Sequence, residues 1–138
     1  MKGINGYLSF NGNCREALLF YQQCLGGELS FQTVGDSPAA ARMPDRMKDC
    51  ILHGTLVSRK LVLMGTDLLG EEGLQKGNNI ALMIQCSSER EIRSLYRKLS
   101  TRGRKTHQLD RSAWGALFGN LEDKYGNHWM LYFDKTKR

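Results

Sequence analysis

Nothing in this chain approaches the roughly 20 consecutive apolar residues that a membrane-spanning helix requires. Its opening segment, "MKGINGYLSFNGNCREALLF", carries one lysine and is broken by Asn and Gly, so it lacks the continuous apolar core of a secretion signal. The expectation is a cytoplasmic protein with no membrane contact. Sequence motifs for common chemistries are missing as well: there is no G-x-S-x-G elbow, no P-loop and no G-x-G-x-x-G opening a helix. The four cysteines (Cys14, Cys24, Cys50, Cys86) form neither a CxxC pair nor a metal-finger spacing. They read as reduced, partly buried thiols. Cys14 and Cys24 fall ten residues apart on one predicted helix, too far to bridge each other.

What is present is ordinary for one compact domain: 138 residues, 41% hydrophobic and 25% charged. The formal charge of +6 raises the question of nucleic acid. Much of the basic excess lies between Arg90 and Arg111 and in the tail "DKTKR". In the first part of that segment the charges alternate with Ile92, Leu95 and Leu99 at helical spacing, which describes a solvated outer helix face. No aromatic platform is interleaved with them. The pattern argues against nucleic-acid binding, which stays as a third reading behind the two given below.

Periodicity divides the chain into two similar halves. "INGYLSF" alternates as a strand, and "NGNCREALLFYQQCLGG" is a helix with Asn13 as N-cap and Gly26 or Gly27 as its stop. "ELSFQTV" is a strand, followed by a loop through Pro38 and Pro44. "CILHGTLVS" and "KLVLMGTD" then make a hairpin around residues 58–60. The second half repeats this order with "NIALMIQC", the helix "SSEREIRSLYRKLSTRG" capped by Ser88, then "KTHQLD", "WGALFGNL" and "NHWMLYFD". A shift of 74 residues puts Asn5 on Asn79, Leu8 on Leu82 and Leu18 on Ile92. This predicts an α+β fold of two βαβββ modules, residues 1–67 and 79–138, joined by a glycine-rich link over residues 68–78.

The segments "YLSFNGNCREALLFYQQCLGGEL", "ILHGTLV…LVLMGTD" and "WGALFGNLEDKYGNHWML" together resemble the vicinal oxygen chelate superfamily. That superfamily holds glyoxalase I, bleomycin-resistance proteins and extradiol dioxygenases, and the similarity is to its PhnB-like subgroup. The resemblance implies a half-open barrel of two βαβββ modules around a cavity, often in homodimers, with the modules paired either within one chain or across the dimer. It also implies that metal-dependent members place ligands on the first and last strand of each module. Those places here hold Asn5, Leu63, Asn79 and Met130, with Leu63 falling on Met130 at an offset of 67. Two amides, an alkyl group and a thioether make a poor set for a hard or borderline cation.

The expected cavity lining follows from strand alternation. Asn5 and Tyr7 share a face opposite Ile4, Leu8 and Phe10; Asn79 and Met83 share one opposite Ile80, Leu82 and Ile84. His53 alternates with Ile51 and Thr55, and serves as the candidate general base. Trp114 is either core or a stacking wall. Met130 and Tyr132 point inward, with Trp129, Leu131 and Phe133 packing outward. His107 and His128 are assigned no role, and Asp67 and Asp123 are expected to cap turns. The lining of Asn5, Tyr7, His53, Leu63, Asn79, Met83, Trp114, Met130 and Tyr132 predicts a small-molecule-binding protein without metal or other cofactor. The alternative is a glyoxalase-type lyase or isomerase, or a dioxygenase, using a recruited divalent metal or His53 as base.

Overall fold

The computed structural model describes residues 1–136; the last two residues of the basic tail lie outside the described residues. Two compact units divide the chain, Met1–Gln75 and Lys76–Arg138, with the boundary inside the glycine-rich stretch 68–78. Each unit holds one helix and one four-stranded sheet.

The first unit runs β1 (Gly6–Ser9), α1 (Cys14–Leu25), β2 (Glu28–Thr33), β3 (Ile51–Ser58) and β4 (Leu61–Thr66), with two short 3-10 turns between β2 and β3. Its sheet order is β1-β4-β3-β2, with β1 parallel to β4 and the other pairs antiparallel. The second unit repeats this with β5 (Leu82–Gln85), α2 (Glu89–Leu99), β6 (Arg104–Arg111), β7 (Leu117–Glu122) and β8 (His128–Phe133), in the order β5-β8-β7-β6. The parallel pair in each unit is the expected product of a strand–helix crossover.

One face of each sheet carries its helix. In the first unit Ala17, Leu18, Tyr21 and Cys24 of α1 bury against Ile51, Leu56 and Leu63. In the second, Ile92, Tyr96 and Leu99 of α2 lie over Leu117, Leu121, Trp129 and Leu131. The contact is close at one point in each unit. A Cβ at Gly54 would stand 2.6 Å from Leu18 Cδ1, and one at Gly119 would stand 2.9 Å from Tyr96 Cε1. Both glycines are therefore required by helix–sheet approach rather than by backbone conformation.

The helix starts differ from each other. Ser88 caps α2, its hydroxyl accepting from Glu91 N at 3.0 Å while Glu91 Oε1 accepts from Ser87 N at 2.8 Å. Asn13 was the expected cap of α1, yet its side chain makes no capping bond. Asp67, just past β4, performs that task from a distance. Its two carboxylate oxygens accept from Cys14 N at 2.9 Å and Ile51 N at 2.8 Å, fastening the helix start to the sheet.

Trp114 is not on a strand. Ser112 Oγ accepts from both Trp114 N and Ala116 N, and Gly115 adopts φ +85°, so the stretch before β7 is a tight turn. The indole at its tip is 86% exposed. It is not part of the core, which corrects that expectation for it, and it sits on a turn rather than on a strand.

Candidate functional site

The face of each sheet opposite its helix is read directly from strand register, since paired residues share a face. In the first module one row across the sheet is Tyr7–Met64–Thr55–Ser30. The next row includes His53 beside Gln32. His53 Nε2 lies 3.2 Å from Thr55 Oγ1, and its ring centroid is 5.8 Å from that of Tyr7. Tyr7, His53, Thr55 and Met64 thus form one mixed apolar and polar patch.

The matching row of the second module is Met83–Met130–Asn120–His107. Beside it runs Gln85–Tyr132–Phe118–Asp110. His107 stacks on Phe118 with centroids 4.8 Å apart, and its Nδ1 lies 2.9 Å from Gln108 O. Tyr132 donates to Asp134 at 3.2 Å; partial burial first, then that bond and the carboxylate charge, push its phenol upward. On the other side a charged row, His128–Glu122–Arg104, borders a shallow groove shared with Lys76, Gly77, Asn78 and Gly126. Arg104 pairs with Glu122 at 2.6 Å and holds its carboxyl below the usual range.

These rows revise the expected lining. Leu63 is fully buried and lies on the helix face, in register with Gly6 and Leu56. Met64 takes the place on the opposite face. The reason is parity. The backbone bonds Phe10 N to Thr66 O and Cys86 N to Tyr132 O occupy the same position in the two modules. That sets Thr66 on Tyr132 and Met64 on Met130, an offset of 66 rather than 67. An odd error exchanges the two faces of a strand. The same bonds set Phe10 on Cys86, an offset of 76 rather than 74, which leaves the faces of β1 and β5 as expected.

Asn5 and Asn79 lie before the first residues of β1 and β5, and both are exposed. Ile4 and Ile80, expected to pack on the helices, are 91% and 74% exposed for the same reason. Tyr7, His53, Met83, Met130 and Tyr132 do stand on the faces opposite the helices. Among the described residues no group of three or more His, Cys, Asp or Glu side chains is placed to hold a metal ion.

Two features escaped the sequence. Asn120 stands in the middle of its row, and its Oδ1 is buried without a hydrogen-bond partner. A signal existed: in "LFGNLE" the amide alternates with Leu117, Gly119 and Leu121, a residue of low strand preference set among core positions. His107 joins the same row. The motif residue Asp123 caps its turn as expected: it is buried and accepts from Tyr125 N and Asn127 N at 2.9 and 3.0 Å, and also from Trp129 Nε1 at 2.8 Å. The D-x-x-G-x-x-W signature is therefore a structural clasp on the β7–β8 turn. The thiols of Cys14 and Cys86 are each pushed up to about 12, by burial first and then by the nearby carboxylates Asp67 and Glu91. They are poor nucleophiles at neutral pH.

Residues 3–131 match the family model described as the glyoxalase/bleomycin resistance protein/dioxygenase superfamily. The chain is 25% identical to the protein YjdN of Escherichia coli K12, over 93% of this chain and 92% of that one. The solved structure of PA1353 from Pseudomonas aeruginosa is 33% identical, with TM-score 0.85, covering 97% of this chain and 98% of that one. A Bacillus cereus PhnB protein, described as a putative 3-demethylubiquinone-9 3-methyltransferase, shares the fold with TM-score 0.75 at 23% identity, covering 96% of this chain and all of that one (100%).

Proposed function

Because the chain belongs to the glyoxalase/bleomycin resistance protein/dioxygenase superfamily, we propose that it binds small, largely apolar organic molecules on a sheet face opposite a helix, without a catalytic divalent ion. The observation that carries this reading is the make-up of the two such faces. Tyr7, Met64 and Met83, with Met130, Phe118 and Tyr132, offer adaptable apolar contact, with polar groups at His53, Thr55 and Asn120 among them and Ser30, Gln32, Gln85, His107 and Asp110 in the same rows. The metal positions implied by the family hold Asn5, Leu63, Asn79 and Met130. Leu63 is turned under α1, so Met64 takes its place on the opposite face, and none of the resulting set is a carboxylate or imidazole. That donor set does not fit a hard or borderline cation. No helix among the described residues is long and apolar enough to cross a membrane.

The same reading takes the protein to be a cytoplasmic homodimer. Exposed Ile4 and Trp114 support association with a second copy, which light scattering across a dilution series tests. Nucleic acid remains disfavoured. On and beside α2, Arg93 and Arg111 are engaged by Glu89, which they hold below its usual range, and Arg104 is engaged by Glu122.

The test combines two measurements on the purified protein. Metal content is read after dialysis against Zn²⁺, Ni²⁺, Mn²⁺ and Fe²⁺, and a panel of aromatic fragments is followed through the methyl resonances of Met64, Met83 and Met130. The expected result is no retained ion and fragment-induced shifts at those methyls. About one ion per chain, lost in His53→Ala, would overturn the metal-free reading. The second reading, a glyoxalase-type enzyme or dioxygenase, rests on His53, whose imidazole stands on the same face beside Thr55. Retained metal would bring those assays forward.

A further inference from the structure

Resting on that binding reading, we infer that Asn120 is the polar recognition point of the second module: its amide oxygen accepts a hydrogen bond from a neutral N–H or O–H on a ligand whose body is otherwise apolar. The atom is buried and has no partner among the described residues. A buried carbonyl in that state is costly unless something supplies a donor. Three polar neighbours on the same face are engaged elsewhere. Glu122, one strand step away, is held by Arg104 at 2.6 Å. His107, its register partner on β6, is turned to Gln108 O at 2.9 Å. The Tyr132 hydroxyl is turned to Asp134 at 3.2 Å.

The first module makes the contrast plain. The place equivalent to Asn120 is Thr55, opposite Met64 as Asn120 is opposite Met130. The Thr55 hydroxyl has a partner in His53 at 3.2 Å. Among the described residues, the second module alone keeps an unanswered buried side-chain acceptor in its row.

The neighbourhood fixes the chemical class. Met130 beside it on β8, Met83 beyond Met130 on β5 and Phe118 along β7 supply apolar surface, so a ligand seated here is mainly apolar. A carbonyl oxygen repels an anion or a bare acceptor. A cation would be stripped of water against two methionines and a phenyl ring, and the nearby carboxylate of Glu122 is already paired. A neutral donor on an aromatic or aliphatic frame satisfies the amide at the smallest desolvation cost.

The experiment uses matched probes that differ by one donor, indole with 1-methylindole and phenol with anisole, titrated into the full chain and followed at the Met130 methyl. Methylation adds apolar surface, so any bias runs against the proposal. The donor of each pair is expected to bind about tenfold tighter in the wild type. The ratio should fall close to unity in Asn120→Leu and persist in Asn120→Asp, which keeps an acceptor in the same shape. Equal binding of both members to the wild type would overturn the role of Asn120 while leaving the binding face intact. A preference that survives in Asn120→Leu would do the same. If neither member of either pair moves the Met130 methyl, the binding reading fails and this inference fails with it.

Discussion

The indole of Trp129 donates to Asp123 across the turn joining β7 to β8, at 2.8 Å, with both residues buried. The same carboxylate also holds Tyr125 N and Asn127 N. Asp123→Ala would strand three donors at once, one of them on a buried indole. The expected loss is about 2–4 kcal/mol of unfolding free energy. A urea titration followed by tryptophan fluorescence measures it. A midpoint equal to wild type would show that the clasp is decorative.

Adjacent positions on β4 should part company. Leu63→Ala empties a fully buried site beneath α1 and should cost about 2–5 kcal/mol. Met64→Ala trims a half-buried side chain on the other face and should cost under about 1 kcal/mol while weakening aromatic fragments. Denaturant midpoints together with fragment titrations on both variants decide which residue belongs to the core. The opposite ranking would reverse the face assignment of β4.

Asn120→Leu should raise stability, not lower it. Removing a buried acceptor that lacks a partner is expected to gain about 1 kcal/mol, seen as a higher urea midpoint with unchanged slope. A destabilised variant would mean that the amide is already satisfied in the folded protein.

The two buried thiols predict an alkaline limit. For Cys14 and Cys86 the folded value is about 12 against an ordinary 9.0, so the unfolded chain loses these protons first. Their contribution to stability is complete below pH 9.0 and declines as pH rises toward about 12. Replacing both with Ala should flatten the fall of the urea midpoint over that window. An unchanged fall would assign it to other groups.

The two-module plan was legible because it rests on strand alternation, helix periodicity and turn chemistry, all of which are local. The capping of α2 by Ser88 and the inward parity of Tyr7, Met83 and Met130 followed from the same signals. Leu63 was misplaced because relating β4 to β8 means counting through loops of unequal length, and a miscount by one residue reverses a face. Trp114 was misjudged because the Ser112 side chain turns "SAWG" into a closed turn, which periodicity does not weigh. Asn120 was missed for a deeper reason. Whether an amide is satisfied depends on what three neighbouring strands present in register, and no single stretch of sequence carries that.

In each sheet the last strand made is an inner one: β4 joins β1 to β3, and β8 joins β5 to β7. During synthesis, β1 has no strand to pair with until residues 63–66 emerge, and β5 has none until residues 129–132 emerge. Each module is therefore committed late, by its final strand, and a ribosome that stalls within β8 would release a second module with its first strand unpaired and the clasp of Trp129 unformed.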